Sequence, residues 1–248
     1  MSRPLILVSN DDGAHAAGIG VLARVAGEFG DVIVSAPSDD RSGVSHSISL
    51  HDALRVTEIR ENWFAVTGTP VDCVYVGALH LCPRPPDLVL SGINHGFNLG
   101  SDVYYSGTVG AAREGLLRKR PALAVSVERG DEVESAAPFI RRVLEAMLAR
   151  GLDEPELLNL NVPSGAEPDR IAVTRLGERV YRDQVLCRKD LQGRNYYWIG
   201  GPPDRSAAGP EGTDVWATAQ GWASVTPIAL DCTSPTVASW NARLGGAS

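Results

Sequence analysis

The chain contains no run of about 18 apolar residues, which excludes a transmembrane helix. Its first residues enter a strand-like segment at once, without the charged and apolar regions of a secretory leader, so none is expected. Cysteine is scarce: Cys73, Cys82, Cys187 and Cys232 show no CxxC spacing, which argues against a zinc site. Three of the four lie in apolar surroundings, so buried free thiols in a reducing cytoplasm are expected in place of disulfides. There is no block of like charge, no internal repeat and no low-complexity tract, so disorder is not indicated. Positive charge is in deficit. The formal net charge of −7 argues against affinity for a nucleic-acid polymer. A small anionic substrate stays open, provided that local groups or a metal attract it. What is present is 248 residues with 44% hydrophobic content, enough to bury a full core as one large domain or one and a half.

Strand-like and helix-like segments alternate through the first two thirds. Leu5–Ser9 and Val32–Pro37 read as buried strands, and Gly18–Phe29 carries apolar residues at helical spacing. Ile48–Leu50, Leu54–Glu58 and Trp63–Val66 alternate like short antiparallel strands. Thr69-Pro70 opens a helix toward Leu81, with proline in the first turn. Asp87–Ser91, Ala122–Val127 and Leu157–Val162 are further strands, separated by helices over Thr108–Lys119 and Val133–Arg150. The pattern predicts a doubly wound, mostly parallel sheet with helices on both faces. After Pro163 the style changes. Arg170–Arg175, Glu178–Arg182 and Tyr196–Ile199 read as strands, followed by a short helix over Thr213–Ala219 and a last strand, Ala223–Ile228. The expected division is a core over 1–163 carrying the site and a hairpin-rich region over 164–248 packed on it. The aromatic stretch Arg179–Gly201 would leave an apolar patch on a monomer, so it is expected to be covered by another subunit.

The most telling segment is Leu5-Ile6-Leu7-Val8-Ser9-Asn10-Asp11-Asp12-Gly13, an apolar strand ending in two adjacent carboxylates. Ligands of open α/β sheets gather beyond the carboxyl ends of the strands. Asp39, Asp40, Arg41 and Ser42 follow the second strand, and Gly92 to Asn98 follow Asp87–Ser91. In a parallel sheet these three loops open on one edge. Carboxylates, a serine hydroxyl and an asparagine amide oxygen suit Mg²⁺ or Mn²⁺ with positions left for water. Each piece alone has a plainer reading: Asp-Gly and Ser-Gly make turns, and asparagine tolerates left-handed backbone. A second group, Tyr105-Ser106-Gly107-Thr108-Val109-Gly110-Ala111-Ala112, places hydroxyls at a helix start, where free N–H groups favour an anion. Its plainer reading is an N-cap followed by small residues that pack closely. A cation site beside an anion cradle is what phosphoryl chemistry needs.

Ser9-Asn10-Asp11-Asp12-Gly13, Ala36-Pro37 through Ser42-Gly43, Thr67-Gly68-Thr69-Pro70, Ser91-Gly92-Ile93-Asn94 and the Tyr105–Ala112 segment occur together and in order. Together they closely resemble the SurE survival-protein family of metal-dependent 5′/3′-nucleotidases. Tyr196-Tyr197-Trp198, Gly212-Thr213-Asp214 and Ser224-Val225-Thr226-Pro227 agree, so the resemblance covers nearly the whole chain. Ser9 departs from the threonine of many relatives but keeps the hydroxyl. The resemblance implies a Rossmann-like α/β core with a C-terminal β-hairpin extension, assembled as a homodimer or homotetramer. It implies a phosphomonoesterase for nucleoside 5′- and 3′-monophosphates, with short polyphosphate as a further substrate class. It carries the metal ligands to Asp11, Asp12, Ser42 and Asn94, for one Mg²⁺ or Mn²⁺ per subunit. It carries the phosphate contacts to Asn98, Ser106, Gly107 and Thr108. Asp11 or Asp12 could take the proton of an attacking water, and Asp102, between the metal loop and the cradle, is the alternative. His95 could donate to the leaving group. Ser106 as a nucleophile lacks a nearby His or Lys to activate it. Two other classes stay open: a phospho-acceptor signalling module, which lacks here its aspartate after the third strand and its lysine after the fifth, and a metal-free nucleotide-binding protein.

Overall fold

The structure is a computed structural model of the chain and describes residues 3–179, 181–182, 184–201 and 209–244. In chain order the strands are β1 (Leu5–Ser9), β2 (Asp31–Pro37), β3 (Val56–Arg60), β4 (Trp63–Val66), β5 (Leu88–His95), β6 (Ala122–Val127), β7 (Leu157–Val162), β8 (Ile171–Val173), β9 (Gln184–Lys189), β10 (Asn195–Gly200) and β11 (Ala223–Ile228). The helices are α1 (Ala17–Ala26), α2 (Pro70–Val76), α3 (Gly107–Leu117), α4 (Ala137–Arg150), α5 (Asp214–Ala219) and α6 (Val237–Leu244). One nine-stranded sheet has the order β3-β4-β2-β1-β5-β6-β7-β11-β8, and β9 and β10 pair separately as an antiparallel hairpin. β1 pairs in parallel with β2 on one side and β5 on the other, so the strand order departs from β1 in both directions. That switch point puts the ends of β1, β2 and β5 side by side, as the parallel alternation of the sequence predicts.

β1 shows why both faces must be covered. Its five residues are all buried; Ile6 and Val8 join α1 and α4 in one core, while Leu5 and Leu7 join α2 and α3 in the other. Side chains alternate across a strand, so a continuous apolar run needs helices on both sides. Phe139, Ile140 and Leu144 of α4 fill the first core, and Val109, Ala111, Ala112 and Leu116 of α3 fill the second. Small residues on α3 let it lie close to the sheet. Beyond Pro163 the chain continues the same sheet: β11 pairs antiparallel with β7 and parallel with β8.

Several elements differ from the sequence reading. Ile48–Leu50 forms no strand; it belongs to an irregular loop whose bonds go to Asp72 and Thr69. The helix expected from Pro70 to Leu81 is α-helical to Val76 and then widens into a π turn over Gly77–Leu81. Val133–Ala136 is a 3₁₀ turn before α4. The strand expected over Arg170–Arg175 shortens to β8, and Glu178 and Arg179 are irregular. Val180 and Asp183, inside the stretch read as a projecting hairpin, lie outside the described residues. α6 was not anticipated, although Val237, Trp240 and Leu244 recur at helical spacing; none of its residues is buried. Cys73 and Cys82 are buried free thiols, but Cys187 and Cys232 are exposed, because β9 buries neither face and Cys232 lies in an exposed loop. No helix among the described residues is long and apolar enough to cross a membrane.

Candidate active site

The turn after β1 is closed by its own asparagine. Asn10 Nδ2 donates to the Gly13 carbonyl at 2.9 Å, and Gly13 N–H donates back to Asn10 Oδ1 at 3.2 Å. This fixes the backbone that carries the two carboxylates. Asp11 is only 3% exposed and accepts a hydrogen bond from the Thr108 hydroxyl. Burial, reinforced by the charge of Asp12 and opposed by the Thr108 bond, pushes the Asp11 carboxyl up to about 6. Asp12 is raised too, first by burial and then by Asp40, with His95 opposing. Asp12 Oδ2 is buried without a hydrogen-bond partner. A buried carboxylate oxygen left unmatched costs free energy unless something positive meets it.

Ser42 reaches the same place from the end of β2. Arg41 N–H donates to the Asp11 carbonyl at 2.7 Å, and Ser42 N–H donates to Asp40 Oδ1 at 2.7 Å. That bond holds the Asp40 carboxyl below its ordinary range. Asn94 lies on β5 itself, since the strand runs on to His95 instead of ending at Ser91. The β5–β6 register shifts between Ser91 and Asn94, and such an irregularity re-aims the side chains that follow it. Gly92 allows it, with φ +133° and no room for a Cβ, which would lie 2.4 Å from the Val125 carbonyl oxygen. Asn94 Nδ2 donates to the Gly96 carbonyl at 2.7 Å, which leaves Oδ1 as its open acceptor.

The predicted anion cradle divides in two. Ser106 is the N-cap of α3, accepting from Val109 N–H at 3.0 Å, and lines the cavity. Asn98 lines it as well and is held on every side: its N–H donates to Asn161 Oδ1 at 2.8 Å, its carbonyl accepts from Asn159 Nδ2 at 2.8 Å, and its Nδ2 donates to Ser126 Oγ at 2.9 Å. Gly107 and Thr108 lie beneath, packed on Asp11. A Cβ on Gly107 would sit 2.9 Å from Asp11 Cβ, and Thr108 is fully buried with its hydroxyl committed to that carboxylate. Asp102 lines the cavity in an ion pair with Arg179 and accepts from the Tyr181 hydroxyl at 2.7 Å. Burial raises its carboxyl, against the lowering effects of Tyr181 and Arg179.

One cavity of about 1170 Å³ thus brings together Asp11, Asp12, Ser42, Asn94, Asn98, Asp102 and Ser106, with His95 beside them. It also collects Phe97 and Tyr105 from the two site segments, and Arg129, Arg179 and Tyr181, which sequence reasoning did not assign to the site. The Asn159–Asn161 clamp was missed as well. Its signal was there: two polar residues two apart, on one face of the otherwise apolar strand Leu157–Val162. Among the described residues no three His, Cys, Asp or Glu side chains cluster as a metal site. The donor set is instead two carboxylates, a hydroxyl and an amide oxygen. Hard oxygens with an unmatched buried charge fit Mg²⁺ or Mn²⁺ and not a soft metal.

Fold and cavity together define a doubly wound α/β protein with an acidic pocket at its topological switch point. The family model for survival protein SurE matches residues 6–183. The 5′-nucleotidase SurE of Sorangium cellulosum is 46% identical over 237 residues, spanning 92% of this chain and 91% of that protein. The 5′/3′-nucleotidase SurE of Yersinia pseudotuberculosis is 46% identical over 245 residues, 96% of each chain. The crystal structure of SurE protein from Aquifex aeolicus superposes with a TM-score of 0.84 at 38% identity, covering 97% of this chain and 100% of that one. The chain belongs to the SurE family.

Proposed function

We propose that this SurE-family chain is a metal-dependent nucleotidase, hydrolysing nucleoside 5′-monophosphates, and 3′-monophosphates as well, to nucleoside and phosphate. Its relatives' names, 5′-nucleotidase and 5′/3′-nucleotidase, support the substrate class. The observation that carries the reading is the pair Asp11 and Asp12, Asp11 bonded to Thr108 in the first turn of α3 and Asp12 Oδ2 buried and unmatched in the same cavity. Asp11, Asp12, Ser42 and Asn94 would hold one Mg²⁺ or Mn²⁺. When bound, such an ion supplies charge to the phosphoryl oxygens and acidifies water. The chain's own groups do the rest. Asn98 and Ser106 orient the phosphate, with the free N–H groups of the first turn of α3 beside them. Thr108 holds Asp11 in place instead of touching phosphate. Asp102 is the proton acceptor in this reading, its basicity favoured by burial and its carboxylate fixed by Arg179 and Tyr181. The exposed aromatic ring of Tyr105 and the cavity's size leave space for a nucleoside.

Short polyphosphate is a second substrate class in the same reading. We further propose that the chain works in the cytoplasm, and that the region over 164–248 serves assembly into a homodimer or homotetramer. The hairpin β9–β10 supports this, since all twelve of its strand residues are exposed, Tyr197, Trp198 and Ile199 among them. A phosphate-release panel tests the activity: nucleotides and polyphosphate, each with Mg²⁺, Mn²⁺ or chelator. Steady turnover with added metal and none with chelator is expected. Full activity in a metal-depleted sample overturns the metal reading, and nucleotide binding without phosphate release in Mn²⁺ overturns the enzyme.

A further inference from the structure

Helix α3 meets both halves of the acidic site along one face. Near its start Gly107 packs on Asp11 and Thr108 bonds its carboxylate. One turn on, Gly110 lies against the backbone of the loop that carries Ser42. A Cβ there would fall 2.6 Å from the Ser45 carbonyl oxygen and 3.4 Å from His46 Cα. Another turn on, Glu114 faces His46, with Nε2 to Oε2 at 3.0 Å. Positions 107, 110 and 114 share a helix face by their three- and four-residue spacing. Glu114 is 6% exposed and its second oxygen lies 2.8 Å from Arg118, whose guanidinium stacks 3.9 Å above the Tyr75 ring. A carboxylate buried this deeply is expensive, and a small apolar residue would pack the position without that cost.

The loop itself has no regular structure between Ser38 and Val56 and depends on its attachments. Ser45 N–H donates to the Tyr105 carbonyl at 3.0 Å and its hydroxyl to the Tyr104 carbonyl, just before α3. Further along, the Ser47 carbonyl accepts from Thr69 at 2.6 Å and Ser49 is bonded to Asp72, which ties that part to α2. His46 supplies the link from a loop side chain to the body of α3. It stands four residues after Ser42.

We propose that His46 is a positioning residue: its bond to Glu114 latches the Ser42 loop onto α3, so that one helix spaces Ser42 from Asp11. The proposal rests on Ser42 being a ligand of the divalent cation. The imidazole N–H donates to the Glu114 carboxylate and touches neither substrate nor cation. Loss of the latch lets Ser42 drift while Asp11 stays held by Thr108.

The test is Mn²⁺ titration of chelator-stripped protein, followed by electron paramagnetic resonance or calorimetry, with melting temperature as the fold control. His46→Ala is expected to weaken Mn²⁺ binding about tenfold, the low end for outer groups that orient ligands, and Ser42→Ala, which removes a ligand, at least as much. His46→Gln keeps an N–H donor and restores most of the affinity. His46→Phe, which keeps ring bulk without the donor, behaves like His46→Ala and serves if the alanine variant does not fold. At saturating Mn²⁺ the kcat of the folded His46 variants returns close to wild type, which a general structural defect would not allow. Normal Mn²⁺ affinity in both His46→Ala and His46→Phe, with Ser42→Ala impaired, overturns the latch alone. Normal affinity in Ser42→Ala overturns its assignment as a ligand, and the proposal with it.

Discussion

β1 and the hairpin β9–β10 use apolar residues in opposite ways. In β1 every residue is buried, and the strand ends in carboxylates that its surroundings hold under strain of charge. In β9 and β10 every residue is exposed, including Ile199 at 90%. An isolated two-stranded hairpin is marginal in water, because it has no third layer to bury a face. The sheet is therefore stable through the two cores on its faces, and it can carry at its edge a carboxylate pair in which Asp12 Oδ2 is unmatched. The hairpin has apolar surface and buries neither face, which fits the role in assembly proposed for it. The first region holds a site; the second offers a surface.

Breaking the first region should show most. Asp11→Asn removes a charge from the proposed cation site, and kcat/KM should fall by orders of magnitude with the circular dichroism spectrum unchanged. Retained activity in this variant would remove the site from the β1 edge.

The cores give the next largest contrast. Phe139→Ala in α4 should cost about 3–5 kcal/mol, because Phe139 is fully buried. Leu191→Ala, at the fully exposed hairpin turn, should stay within about 0.5 kcal/mol in a dilute monomeric sample. Urea melts of both variants check this, and equal losses would mean that the hairpin packs on the core.

Ser106→Ala and Thr108→Ala sharpen the comparison inside the site. Ser106→Ala should lower kcat/KM about 10- to 150-fold for every phosphate ester, the value of roughly 1.5–3 kcal/mol for a charge-assisted hydrogen bond. Thr108→Ala should weaken Mn²⁺ binding first, because its hydroxyl bonds Asp11 and not the cavity. Calorimetric Mn²⁺ titrations beside steady-state kinetics separate the two, and identical profiles would put both hydroxyls on the phosphate.

A further effect is on stability against pH in chelator-treated protein. Asp11 rises from 3.8 to about 6 on folding, so between those values the folded state keeps a proton that the unfolded state has lost. Stability from this group is therefore greatest at low pH, falls as pH rises through that window, and is fully lost above it. Thermal melts from pH 4 to 7 should show that decline in the wild type and a shallower one in Asp11→Asn. Parallel curves would mean that Asp11 is ionised throughout.

Much of this was legible along the chain. Buried parallel strands are recognisable by unbroken branched apolar runs, and a run that stops in Asp-Asp-Gly marks a strand end as well as a site. The proline and N-cap signals of α2 and α3 are equally local: Thr69 and Ser106 each cap the helix that follows. Other elements were not legible. Ile48–Leu50 alternates like a strand, yet its neighbours in space are Thr69 and Asp72, which offer side-chain bonds instead of a ladder. Asn94 reads as a loop residue because nothing local says that β5 continues through an irregular register. The partnership of Asp102 with Arg179 joins residues 77 apart, and that of His46 with Glu114 joins residues 68 apart.

The sequence by itself determined the alternation of strand and helix, the parallel edge and the cluster of hard oxygen donors, because these follow from periodicity and from residue chemistry at strand ends. Only the tertiary structure decided which donors face the cavity and which hold them. Thr108 faces Asp11 and not the cavity because α3 lies close enough for Gly107 to touch that carboxylate. The Ser42 loop takes its place because Gly110 leaves room for it. Such distances are set by how closely a helix packs on a sheet, and packing is a property of all the contacting residues together.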